Sequence, residues 1–312
     1  MLRLAFARNL AVSVALLTAA ATANAVTLRV NCGQHSGMSS IGAAIRAVQS
    51  SESRGPSTIL VSGNCRENVV IQSIDRLTLT AIKGASITDA SGGKLSVVDM
   101  EDSRDVAING FVINAGADGV TGTSGVVCGD SSVCRLSGNT IQGATDGSGF
   151  AVFGSSTAVI DGDILQGNAT GLGIFSASSV RGTFTARKNS EGARVVRSSY
   201  LNVADCNVSN NAGVGITVRG NATLNLGNCS ISGNGSNGIM LQWGAYGQLA
   251  TSTITGNGNV GVDISDLSFA IFDTDVITGN QSGTDVVCNP QYSATRGALD
   301  SIGGGTTNCV EP

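Results

Sequence analysis

Across residues 203–288 apolar residues alternate with polar ones in short runs, and the runs recur. Val208, Ile231, Ile254 and Ile277 stand 23 residues apart, each three residues before an asparagine: Asn211, Asn234, Asn257 and Asn280. After the asparagine come Gly215, Gly238 and Gly261, then Ile216, Ile239 and Val262, and two residues on Val218, Leu241 and Ile264. Thr217, Met240 and Asp263 occupy the alternate positions, while Cys206, Cys229, Ser252 and Asp275 share another column. Alternation of period two predicts short strands. A fixed period within roughly 20–50 residues predicts a repeat architecture. Asparagine phrases continue upstream at Asn189, Asn168 and Asn139, at irregular steps of 22, 21 and 29 residues. "LTLTAIKGASIT" (77–88) and "DVAINGFVINA" (105–115) also read as short strands with turns.

A coil of about 23 residues cannot bury its own apolar face, whereas stacked coils can. Each strand then pairs in parallel with its counterpart in the next coil, about 4.8 Å away, and equivalent residues lie one above another. The asparagines are expected to form a ladder, since Asn tolerates left-handed turns and its amide can bond backbone and neighbouring asparagines. Glycines are expected to supply positive φ where the coil bends. Ile41, Ile45 and Val48 follow a helical spacing and predict an amphipathic helix capping the N-terminal end of the stack. The expectation is an all-β parallel solenoid of ~23-residue coils with a short N-terminal capping helix. Its cap spans about 26–57, its coils about 58–288 and its tail 289–312, all in one domain.

Residues 1–25 read as a secretory signal peptide: Arg3 and Arg8 are the only charges, Leu10–Ala21 is apolar or small, and Ala23-Asn24-Ala25 fits a cleavage site. Cleavage near Ala25 implies a secreted or periplasmic protein, and no later stretch could span a bilayer. Loss of the two arginines takes the formal charge from −4 to −6. With no basic patch, nucleic acid is not an expected partner. All eight cysteines fall in the exported part. Spacing suggests Cys32 with Cys65, Cys128 with Cys134, Cys206 with Cys229 and Cys288 with Cys309, although spacing alone leaves the connectivity open.

The recurring "ISGNGSNGIM" type of coil (231–240), the signal peptide, and "SSIGAAIRAVQ" (39–49) followed by "STILVSGNCRENVVI" (57–71) resemble the right-handed parallel β-helix proteins of the pectate-lyase-like superfamily. The resemblance covers residues 26–312 and implies a right-handed parallel β-helix. It implies little about activity, because that superfamily holds lyases, hydrolases, esterases, epimerases and non-catalytic members.

Each activity has requirements. Polygalacturonase-type hydrolysis calls for an Asp-Asp pair, an Asn-Thr-Asp phrase and a coil histidine. The chain has neither phrase, and its one histidine, His35, precedes the coils. A pectate-lyase-type elimination uses an arginine as base and calcium held by acids. Copper delivery would need a Met/His cluster that four methionines and one histidine do not supply. Side chains alternating with the buried column should point outward. One outward column reads Arg194, Thr217, Met240 and Asp263, with Asp285 next; a second reads Val196, Arg219, Gln242 and Ser265, with Phe153 and Phe175 upstream. Trp243, the sole tryptophan, and Tyr246 lie just beyond. Arg194, Arg219, Gln242, Trp243, Tyr246 and Asp263 are thus the candidate polysaccharide-binding face. Asp263 and Asp285, if stacked, are a candidate calcium site. "DGD" (161–163) and "FDTD" (272–275) read as turn chemistry. The competing function is a structural or adhesive surface rod without a catalytic site.

Overall fold

The computed structural model describes residues 25–34, 37–51, 55–82, 84–119, 122–289 and 302–309. The signal-peptide reading and His35 lie outside these residues, as does much of the tail.

Every strand pairing between named strands is parallel, and the strands form two sheets. One has ten strands, from Val69–Gln72 at one end to Val286–Cys288 at the other. The other has nineteen and takes in the two remaining faces of the coil; Thr157–Gln166 and Ser179–Arg187 run through the corner between those faces. Ten rungs at the parallel-strand spacing make a stack about 45 Å long. The register is that of the 23-residue period: Ile216 lies over Ile239, and Ile239 over Val262. Inward Ile, Val, Leu and Phe fill one continuous core, in which Ile216, Ile231, Ile239, Leu241 and Ile254 have no exposed surface.

At the N-terminal end Val26–Asn31 already pairs with Ser57–Ser62, so the capping segment contributes a rung of its own. The helix Ile41–Ser50 then turns Ile41, Ala44 and Ile45 onto the open end of the core. Its first turn is held by the Ser40 hydroxyl, which accepts from Ala43 N–H, and by the Glu67 carboxylate, which accepts from Ile41 and Gly42 N–H. The four disulfides are Cys32–Cys65, Cys128–Cys134, Cys206–Cys229 and Cys288–Cys309. Cys206–Cys229 ties adjacent coils, and Cys288–Cys309 ties the tail to the last rung.

The asparagine column is longer than the regular repeat predicts. It runs Asn168, Asn189, Asn211, Asn234, Asn257, Asn280 and ends on Asp285. At each step the backbone N–H and side-chain amide of one asparagine both donate to the Oδ1 of the next; for Asn234 to Asn257 these are 3.2 and 2.9 Å. The second amide hydrogen goes to a backbone carbonyl, as from Asn234 to Val208. A carboxylate ends the column because it only accepts: Asp285 takes Asn280 through Oδ1 and Thr306 through Oδ2. Burial opposes its ionisation, but the hydrogen bonds from Thr306 and Asn280 outweigh it and hold its pKa below the ordinary value.

The left-handed conformation falls one residue earlier than the asparagine ladder itself, on Lys188, Asn210, Gly233, Gly256 and Gly279. Gly215 and Gly238 serve a different need from positive φ. A Cβ at Gly215 would stand 2.8 Å from Asn234 Nδ2 and 2.5 Å from the Gly238 carbonyl, so the column needs the missing side chain to admit the ladder.

Two further columns brace the other corners. Backbone N–H groups donate to the hydroxyl one coil on, from Ser103 through Ser132 and Ser156 to Ser178. The Cys206, Cys229, Ser252 column ends on Asp275, which accepts from Ser252 N–H at 2.7 Å and from Asp273 N–H. Asp163 likewise accepts from Asn139 and from Asp161 N–H. The acids of "DGD" and "FDTD" are therefore interior acceptors at column ends, and Asp163 and Asp275 are each 1 % exposed.

Asn234→Ala removes the Asn211 acceptor and two donors from an interior site. It should lower stability by about 2–4 kcal/mol, read as a fall in thermal midpoint. An unchanged midpoint would remove the ladder from the stabilising interactions. Burial pushes the pKa of both Asp163 and Asp275 up to about 6, against the hydrogen bonds each accepts. Between the unfolded value, about 3.9, and 6 the native chain keeps protons that the unfolded chain has released, so these two groups make stability fall as pH rises through that window. Asp163→Asn and Asp275→Asn should therefore gain on the wild type between pH 4 and 7, each by on the order of 1–3 kcal/mol. A difference in midpoint that does not move with pH would refute this.

Candidate functional site: a groove across the coils

The ten-stranded sheet presents its outward side chains along a groove of 910 Å³ that crosses the coils. Register fixes the order of its floor. The central column reads Val70, Asp99, Val127, Ala151, Gly173, Arg194, Thr217, Met240, Asp263 and Val287. The neighbouring column reads Gln72, Glu101 and Gly129, continues through Phe153 and Phe175, and ends in Val196, Arg219 and Gln242. Ser148, Thr170 and Glu191 form the opposite wall.

Small floor residues let the aromatic rings lie down. The Phe153 ring covers Gly129 and the Phe175 ring covers Gly173, so that a Cβ at either glycine would come within 2.8 Å of the ring. Beyond them lies an arginine corner of 420 Å³ lined by Phe175, Arg194, Arg197, Arg219 and Trp243. Arg194 is held in place by Glu191 at 2.5 Å, whereas Arg197 and Arg219 have no ion pair among the described residues. The Arg219 guanidinium lies 5.4 Å from the centre of the Trp243 ring, within cation–π range. Trp243 itself stands at φ 56° and is 57 % exposed. The bend after each rung imposes this left-handed conformation, at which Ala177, Asn221 and Leu267 stand elsewhere in the stack. A bulky ring there costs more than Asn or Gly would.

Asp99 anchors the opposite end. One of its carboxylate oxygens is buried without a hydrogen-bond partner. Burial, reinforced by the charges of Glu101 and Asp130, pushes its pKa up to about 6. Asp146, which accepts from Gly119 N–H at 2.6 Å, also lines this half.

Of the face expected from sequence, Arg194, Arg219, Gln242, Trp243 and Asp263 stand on the ten-stranded sheet or at its edge. Tyr246 does not. It belongs to the strand Tyr246–Ala250 in the other sheet, past the bend at Trp243 and Gly244, and packs against Phe269 with ring centres 4.6 Å apart. The stacked carboxylate pair also fails to form. Val287, not Asp285, lies beside Asp263, because the shorter final coil shifts the register. Asp285 is occupied as the terminal acceptor of the asparagine column, and Asp263 meets Asn237 instead. Burial raises the pKa of Asp263 against that hydrogen bond, with the charge of Asp266 adding to the rise. Two carboxylates engaged apart from one another do not make the calcium cradle expected from sequence.

Asp99, Glu191 and the Gly129 and Gly173 platforms are the parts that sequence reasoning missed. The alternation in "VVDME" (97–101) carried the signal, but it lies upstream of the regular 23-residue period, where the register could not be counted off.

Residues 124–296 match the family described as right handed beta helix region, and the chain belongs to that family. Among solved structures the fold is similar to the A-module of mannuronan C-5 epimerase AlgE4 of Azotobacter vinelandii, with a TM-score of 0.55 and 14 % identity over 91 % of this chain and 98 % of that one. The A-module of mannuronan C-5 epimerase AlgE6 of the same organism is similar with a TM-score of 0.52 and 16 % identity, over 86 % and 92 % of the two chains. No curated protein sequence matches the chain. Identities this low establish a shared fold.

Proposed function

We propose that the protein is an exported polysaccharide-binding β-helix whose glycan strand lies along the groove of the ten-stranded sheet. The observation that carries this is the floor of the groove. It is a continuous run of outward side chains crossing several coils, with aromatic rings laid flat over glycines and two arginines unpaired among the described residues beside an exposed tryptophan. Flat rings and a guanidinium on an indole suit the apolar faces and the hydroxyl or carboxylate edges of sugars. The epimerases of similar fold are named for mannuronan, itself a polysaccharide, which supports the same ligand class. The signal-peptide sequence and four disulfides fit an oxidising compartment outside the cytoplasm. Among the described residues no helix is long and apolar enough to cross a membrane.

Recognition is the reading the geometry supports best. Lyase-type elimination needs a base and a neutralising cation at one uronate. Here the raised-pKa carboxylate of Asp99 and the arginine corner are four rungs apart, about 19 Å.

A glycan panel offered to the mature protein, with and without calcium, should show binding. Arg219→Ala and Trp243→Ala should each weaken that binding roughly tenfold or more at an unchanged thermal midpoint. If both variants bind every glycan as the wild type does, the groove is not the binding face. New ultraviolet absorbance of unsaturated uronates would instead make the protein a lyase. Silence across the panel would favour a structural rod.

A further inference from the structure

The two outward columns of the groove carry the same order of charge. The central one begins at Asp99, passes through Val127, Ala151 and Gly173, and reaches Arg194. The neighbouring one begins at Glu101, passes through Gly129, Phe153, Phe175 and Val196, and reaches Arg219. Each column thus runs from acid through an uncharged stretch to arginine. The separations are about 19 Å in the first and about 24 Å in the second at the rung spacing. The acidic half is reinforced: Asp130 is close enough to Asp99 to raise its pKa along with Glu101, and Asp146 lines the groove nearby. The basic half is reinforced as well, since Glu191 neutralises only Arg194 and leaves Arg197 and Arg219 to the solvent-facing corner with Trp243.

Resting on the proposed polysaccharide-binding role, we propose that the ligand is an amphoteric glycan strand bound in one direction, with an anionic sugar in the Arg197–Arg219–Trp243 corner and an amino sugar over Asp99 and Glu101. A uniform polyanion satisfies the arginines but places negative charge over Asp99, Glu101 and Asp130, which nothing among the described residues neutralises. A uniform polycation meets the reverse conflict at Arg197 and Arg219. Only a strand bearing both signs meets complementary charge at both ends, and reversing it places like charges together at each. The uncharged middle then holds sugar faces against Phe153 and Phe175. The unpartnered oxygen of Asp99 is an acceptor aligned with this role, since an ammonium supplies the donors it lacks.

The test uses the mature full-length protein and oligosaccharides of equal length: alternating glucuronate and N-acetylglucosamine, the same chains after N-deacetylation, and chitosan oligomers. N-deacetylated chains, which carry both charges, should bind at least about tenfold more tightly than either of the others near neutral pH. The Asp99→Asn, Glu101→Gln double variant should lose that preference while keeping the wild-type affinity for the N-acetylated chains, and Arg219→Gln should lose affinity for both uronate-containing ligands. Thermal midpoints of the variants establish that they are folded. Equal affinity for acetylated and deacetylated chains, or a preference that survives in the double variant, would overturn the amphoteric ligand and leave polysaccharide binding standing. Absence of binding by all three classes would overturn both.

Discussion

The structure depends on stacking like on like at the parallel-strand spacing. A coil that repeats its sequence every 23 residues places each side chain directly above its counterpart, and a side chain is tolerated only if it can bond or pack with a copy of itself. Isoleucine and valine do so by interdigitation. Asparagine does so because it carries both an acceptor and two donors, so that each copy serves the next. Aspartate cannot, because a carboxylate only accepts, and it appears where a column stops. Asp285 and Asp275 each end one, and Asp163 takes the donors of Asn139.

The glycines follow from the same constraint. Bringing the asparagine of the next coil against the backbone of this one leaves no room for a Cβ at Gly215 or Gly238. A smaller residue therefore sits where the packing is tightest, not only where the chain turns. On the outward side the constraint is looser, because solvent can separate unlike neighbours. There the columns can change character from rung to rung, and they do: Asp99, Ala151, Arg194 and Met240 occupy one line on the surface. Function in such a fold is written on the face that is free to vary. A ligand long enough to cross several rungs reads those differences in order.

The parallel β-helix, the 23-residue coil, the capping helix at Ile41–Ser50 and the four cysteine pairs were legible in the sequence, because apolar alternation and repeat spacing are local and periodic. So was most of the arginine face, since Arg194, Arg219 and Gln242 lie inside the regular repeats where columns can be counted. Tyr246 was misplaced because three residues past Gln242 the chain has rounded a corner, and proximity in sequence no longer means a shared face. Asp285 was misplaced because the shorter last coil slides the register, and a slip of one residue exchanges inward and outward sets.

Sequence by itself therefore determined the architecture, since burying apolar strands of period two in repeated coils leaves few alternatives to a stack. Only the tertiary structure decided which upstream coils align with which. Irregular steps such as the one from Asn139 to Asn168 are absorbed in loops whose length does not reveal the register beyond them. That alignment brought Asp99 and Glu101 into line with Arg194 and Arg219 across nearly a hundred residues of chain or more. A surface charge pattern of this kind is set by pairing between rungs, which no local signal encodes.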